Sequence, residues 1–226
     1  MNAGLVPAGR VVADIGCDHA KLSVYLIEKG IATKVIAMDI GKGPLERAKE
    51  NIRAAGLGDR IDIRLSDGAD KLTVDENGKA EADVAVIAGM GGMLALDIVR
   101  RDIDKFRSME CFIIQAQSNT DILRKSMYEL GFRIIDEDME YEDGKFYTSM
   151  KLTDVSHCSA AAELSPAEAW YGPVMIRKRG EIFERYLIHE KAVCDRIMDS
   201  IKDKDDPDYD RVKNRSGIIA GLMSEV

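Results

Sequence analysis

Apolar residues fall in short runs through the first two thirds of the chain and at helical spacing through the last third, so two kinds of structure are predicted. The runs at 11–15, 34–40, 61–65, 83–88 and 111–115 are rich in Val and Ile, as strands buried on both faces should be. Amphipathic stretches lie between them. Pro44 opens one that closes at Gly56, and another runs from about Thr120 to Leu130 and stops at Gly131. Five such β–α units predict a doubly wound parallel sheet. The segment FRIIDEDMEYEDGKFYTSMKL then breaks the alternation and reads as two strands joined across Asp143-Gly144, a hairpin signal.

Residues 153–173 are rich in Ser and Ala, carry little periodicity and read as a connector after a first domain over 1–152. Pro173 can begin a helix, with Ile176, Phe183, Leu187, Cys194, Met198 and Ile201 following on one face. DKDDPDYD interrupts it, with Asp206 as cap and Pro207 as first residue of the next helix. There Tyr209, Val212, Ser216, Ile219 and Met223 step by three and four, a coiled-coil-like seam. Residues 174–226 are therefore expected to form an antiparallel helical pair.

Composition narrows the class more than the function. With 46% apolar and 32% charged residues, the 226-residue chain is that of a soluble globular protein with a sizeable core. No apolar run approaches the roughly 18 residues of a membrane span, and no secretory signal opens the chain, so no membrane partner is expected. Cys17, Cys111, Cys158 and Cys194 are scattered without metal-ligand spacing, which predicts no metal and reduced thiols in a cytoplasmic protein. A net charge of −8 means that any nucleic acid must be held by a local patch.

The candidate chemistry gathers at the strand ends. Asp14-Ile15-Gly16 ends the first strand and turns through Cys17, Asp18 and His19 into a helix, whose free N–H groups suit a polar ligand. Asp39, followed by Ile40, ends the second strand 23 residues beyond Gly16, where an acid can accept both ribose hydroxyls of an adenosine. Asp67-Gly68 follows the third strand, where an acid can accept an adenine amino group, and Ala88-Gly89-Met90-Gly91-Gly92 ends the fourth. Each feature has a plainer reading: the aspartates as helix caps, Gly91 and Gly92 as a helix start, His19 as a structural hydrogen-bonding group. Together they fit an adenosine, and the hairpin finish favours S-adenosylmethionine in a class I methyltransferase fold over a nicotinamide cofactor.

These residues resemble the bacterial TrmK-like family. The matching pieces are Asp14-Ile15-Gly16-x-Asp18-His19-Ala20, Asp39-Ile40-x-x-Gly43-Pro44-Leu45, Arg64-Leu65-Ser66-Asp67-Gly68, Ala88-Gly89-Met90-Gly91-Gly92 and Gln115, with Glu137, Glu142 and Tyr147 in the closing hairpin. The resemblance implies methylation of adenine N1 at tRNA position 22, with S-adenosylmethionine as cofactor and tRNA as partner. It points to Asp18, His19 and Gln115 as the catalytic group, and the densest basic cluster, Arg177-Lys178-Arg179, becomes the candidate RNA contact, with a solvated helix face as its plainer reading. Lys21, Ser23 and Ala116 depart from the family pattern beside the target pocket. They keep open a protein that binds the cofactor without turnover, or a methyltransferase acting on a small molecule.

Overall fold

The computed structural model describes residues 3–156, 163–203 and 205–224. Seven strands form one sheet: β1 (Arg10–Ile15), β2 (Ala32–Asp39), β3 (Ile61–Leu65), β4 (Val84–Met90), β5 (Cys111–Ala116), β6 (Phe132–Glu142) and β7 (Lys145–Asp154). Their order is β3-β2-β1-β4-β5-β7-β6. The first five are parallel, while β7 runs antiparallel to both β5 and β6. This is the expected Rossmann-like, class I methyltransferase layout. The hairpin turn has positive φ at both Asp143 and Gly144, as a two-residue turn matching strand twist requires.

Alternate residues of each strand feed two cores. Ala13, Ile15, Ile36, Met38, Ile87 and Ile114 pack with α3 (Gly92–Arg101), α4 (Ile103–Ser108) and α5 (Thr120–Glu129) on one face. Val12, Val35, Ala37, Val86 and Ile113 pack with α1 (Lys21–Glu28) and α2 (Lys42–Ala54) on the other. All six positions of β5 are buried, which explains the absence of polar alternation in its sequence. Because β1 lies between β2 and β4, the chain reverses direction across the sheet there. The carboxyl ends of β1 and β4 therefore flank the crevice where open α/β sheets take ligands.

Beyond the sheet lie α6 (Pro166–Tyr171), α7 (Pro173–Lys178), α8 (Glu181–Ser200) and α9 (Pro207–Ser224). The stretch read as a connector thus holds a helix, closed at its start by a reciprocal cap between Ser165 and Glu168. The single helix expected from Pro173 is two, because Arg179 adopts a left-handed conformation before Gly180. Arg179, just before α8, donates to the Leu222 carbonyl near the end of α9, so the two long helices run antiparallel. The α9 seam is Val212, Ser216, Ile219 and Leu222; Met223 faces outward, since a straight helix drifts from a 3.5-residue repeat.

A buried ion pair joins these helices to the sheet. Arg124 on α5 is 2% exposed and Glu137 on β6 is 0% exposed. Arg124 Nε donates to Glu137 Oε1 (3.0 Å) and Nη1 to the carbonyls of Ala169 and Trp170 (3.0 Å each). Glu137 Oε2 in turn accepts from the amides of Val174 (2.9 Å) and Met175 (3.3 Å) at the start of α7. Both charges are desolvated, and each is answered by several partners.

Candidate active site

The turn after β1 is built on left-handed residues. Gly16, Asp18 and Ala20 have φ of +76°, +49° and +55°. Such a conformation is costly for Asp and Ala, and it clusters where a loop is held for a purpose. The loop is pinned at its base: the amides of Gly16 and Cys17 both donate to the Met38 carbonyl (2.8 and 2.9 Å). A Cβ on Gly16 would stand 2.8 Å from Cε of Met90, so the turn and the β4 end close on each other.

Asp39 ties the second strand end to the first. Its Oδ2 accepts from the Asp18 amide (3.0 Å) and its Oδ1 from the Gly41 amide (2.8 Å). Beside it Ile40 is 70% exposed, an apolar side chain standing at the carboxyl edge. Asp14 lies beneath the turn, buried, and accepts from the Ser23 hydroxyl (2.5 Å). Burial pushes its carboxyl up to about 6, against the opposing effect of the Ser23 hydrogen bond. Burial, reinforced by Asp14 and Asp39, pushes the neighbouring Cys17 thiol up to about 12, which removes it as a nucleophile.

Asp18 does not cap α1. The N-cap residue is Ala20, without a side-chain cap bond, and the Asp18 side chain is 70% exposed. Its Oδ1 stands 3.4 Å from Nε2 of His19. Two residues one turn apart on α2 fix that histidine: Arg47 Nη1 lies 3.2 Å from Nε2, and Asn51 Nδ2 donates to the His19 carbonyl (2.9 Å). With Arg47 as donor, Nε2 is the acceptor and the ring proton sits on Nδ1.

The β4 end bulges between Ala88 and Met90, leaving Gly89 with φ +78° and nothing within 4 Å of the position a Cβ would take. The Gly89 amide donates to Gln115 Oε1 (2.9 Å), so Gln115 on β5 shapes this edge, and among the described residues its NH2 group has no acceptor. Asp67 is held by Arg101, whose Nη1 donates to Oδ2 (2.9 Å) and whose Nη2 donates to the Asp67 carbonyl (2.6 Å). Gly68 follows it with positive φ.

The edge thus brings Asp14, Gly16, Cys17, Asp18, His19, Asp39, Ile40, Ala88, Gly89 and Gln115 around the β1/β4 crevice, with Asp67 and Gly68 after β3. Its groups are of the kind that fit S-adenosylmethionine: a carboxylate able to accept from hydroxyls, an exposed apolar side chain and open space over the Gly89 backbone. The basic cluster is less uniform. Lys178 pairs with Asp136 (2.6 Å) and the Glu137 carbonyl (2.7 Å), Arg179 pairs with Glu184 (3.3 Å), and Arg177 is exposed. Among the described residues no cluster of metal-ligating side chains and no helix long and apolar enough to cross a membrane occurs. Cys111 and Cys194 are free, and Cys158 lies outside the described residues.

A family profile described as a methyltransferase domain matches residues 2–150. The tRNA (adenine(22)-N(1))-methyltransferase of Bacillus subtilis (strain 168) is 31% identical over 212 residues, covering 93% of this chain and 87% of that protein. The chain belongs to this tRNA methyltransferase family. Solved family members match through the helical pair as well as the sheet. The B. subtilis m1A22 tRNA methyltransferase TrmK has a TM-score of 0.81 at 27% identity, covering 96% of this chain and 93% of its own. A Streptococcus pneumoniae relative, solved in complex with S-adenosyl-L-methionine, has a TM-score of 0.84 at 26% identity, covering 97% and 95%. By contrast, a ribosomal protein L11 methylase from Lactobacillus delbrueckii subsp. bulgaricus reaches 0.53 at 16% identity over 65% of this chain and 70% of its own, a likeness of fold alone.

Proposed function

We propose that this protein transfers a methyl group from S-adenosylmethionine to N1 of adenine 22 in tRNA, in the cytoplasm. The observation that carries the reading is the family match across both the sheet and the helical pair, over 93% of the chain. A generic methyltransferase likeness would end with the sheet.

Asp39 would hold the ribose hydroxyls, Ile40 would face the adenine ring of the cofactor, and Asp67 with Gly68 would border its amino edge. Gly16, Cys17, Ala88 and Gly89 would receive the amino-acid part, with Asp14 beneath. When bound, the cofactor supplies a methyl group whose bond to sulfur breaks as the N1 lone pair takes it. Neutral N1 needs no base to become a nucleophile, so the chain's task is alignment and exclusion of water. Asp18, the exposed carboxylate of the strained turn, accepts from the exocyclic amine, whose acidity rises as the ring gains charge. His19, fixed by Arg47 and Asn51, borders that carboxylate, and the NH2 of Gln115 is a donor for the incoming base. N1 lies on the pairing edge, so the target must be unpaired or flipped out.

The test is in vitro methylation of an unmodified tRNA transcript, followed by digestion and mass spectrometric mapping. The expected product is N1-methyladenosine at nucleotide 22. Bound cofactor with no methylated nucleoside would reduce the protein to a cofactor-binding module.

A further inference from the structure

The strongest feature the cofactor edge leaves unused is a cleft of about 480 Å³ beside it. Its floor is the β5 end and the loop into α5, from Gln115 to Thr120. One wall is the start of β7, with Lys145, Phe146 and Tyr147, and the other is α8, with Tyr186, His189 and Glu190. The cleft shares Gln115 with the cofactor edge, where that side chain accepts from the Gly89 amide. Any group seated in it therefore lies against the edge proposed to hold the cofactor.

The lining has the chemistry of a nucleotide seat. The Phe146 ring centroid is 5.2 Å from that of Tyr186 and 5.6 Å from that of His189, which forms an aromatic wall. Amide and hydroxyl groups of Gln115, Gln117 and Thr120 can meet the hydrogen-bonding edges of a base. The volume falls within the range of small-ligand sites.

The α8 wall is also held in place, as a recognition surface must be. Arg215 on α9 forms an ion pair with Glu190, donates to the Tyr171 hydroxyl (3.1 Å) and lies 4.4 Å from the Trp170 ring centroid. The buried Arg124–Glu137 pair fixes α6 and α7 to the sheet beneath it.

From this placement we infer that His189 of α8 is a substrate-positioning residue: the helical pair closes the seat of the flipped-out purine nucleotide, and the His189 ring, backed by Phe146, stacks on it. The inference rests on the proposed tRNA methylation and adds a direct role of the helical pair in the base seat, beyond any backbone grip.

The test compares wild-type protein with His189→Ala and His189→Phe in full-length chains, using unmodified tRNA and saturating S-adenosylmethionine. His189→Ala should raise the KM for tRNA about tenfold, the range seen when a base-stacking side chain is removed. His189→Phe, which keeps the stacking surface, should stay within about threefold of wild type. Cofactor affinity and melting temperature should not move in either variant, since the His189 side chain is exposed. An unchanged KM in His189→Ala, or equal losses in Ala and Phe, would overturn the inference while wild-type methylation still stood. Absence of methylated tRNA with the wild type would instead overturn the function on which it rests.

Discussion

At the scale of single residues, Asp39 shows how one carboxylate serves two ends. Its oxygens accept from the amides of Asp18 and Gly41, so the loops after β1 and β2 are drawn together before any ligand is considered. Charge-assisted hydrogen bonds of this kind contribute about 1.5–3 kcal/mol each. Asp39→Ala should weaken S-adenosylmethionine binding at least about tenfold in calorimetry, and unchanged affinity in a folded variant would remove Asp39 from the site.

Asp14 makes a second residue-scale prediction, on pH. Its carboxyl is lifted to about 6 by burial, so the folded protein holds that proton more tightly than the unfolded chain does. Folding stability should therefore fall as pH rises from about 4 to about 6, by roughly 3 kcal/mol for a shift of about two units. Asp14→Asn, which can still accept from Ser23, should lack that slope in thermal melts across the same range. Identical slopes in the two proteins would refute the assignment.

Legibility at this scale followed distance along the chain. Gly16, Asp39 and Gly89 could be placed from the ends of Val/Ile runs alone. Ser23 on Asp14 and Arg47 on His19 could not, because they depend on how α1 and α2 are rotated over the sheet. A faint signal existed: Ser23 occupies a buried position on the apolar face of α1, and Arg47 and Asn51 stand four apart.

At the scale of elements, the central strands β1, β4 and β5 were legible because continuous burial leaves no polar alternation to confuse, while β6 and β7 were legible from the turn that joins them. The break between α7 and α8 was hidden, since Ile176 and Phe183 stay on a consistent apolar spacing across Gly180. The six-residue α6 is too short for periodicity to show, although Ser165 and Glu168 already spelled its cap. The contact that seats these helices pairs residues 13 positions apart with carbonyls some 45 further on, beyond any local pattern. Removing one member of a buried ion pair costs about 3–5 kcal/mol. Arg124→Met should lose stability on that order in urea denaturation and loosen α6 and α7, read as faster proteolysis after β7. A loss under about 1 kcal/mol would show that the pair is not holding the helices.

At the scale of the whole molecule, an overall charge of −8 must meet a polyanion, so RNA affinity has to come from a few well-placed cations. The triplet at 177–179 is divided in function. Lys178 and Arg179 are engaged with Asp136, Glu137, Glu184 and Leu222, whereas Arg177 stands exposed at the end of α7. Arg177→Ala should weaken tRNA binding and lower the salt slope by about one, with unchanged melting temperature. Lys178→Ala should lower stability first. The reverse pattern would place the RNA contact elsewhere.

Efficient transfer depends on the strained turn at the carboxyl edge acting in the chemistry, and Asp18→Asn tests that most directly. Asn is at ease in the left-handed conformation that residue 18 adopts, so the loop should survive while the carboxylate is lost. In single-turnover methylation of tRNA, followed by mass spectrometry of N1-methyladenosine, the rate should fall by about two orders of magnitude, in the range typical of acid–base groups. Melting temperature and S-adenosylmethionine affinity should stay at wild-type values. A near-normal rate would contradict this role of Asp18 and leave alignment alone to drive the transfer.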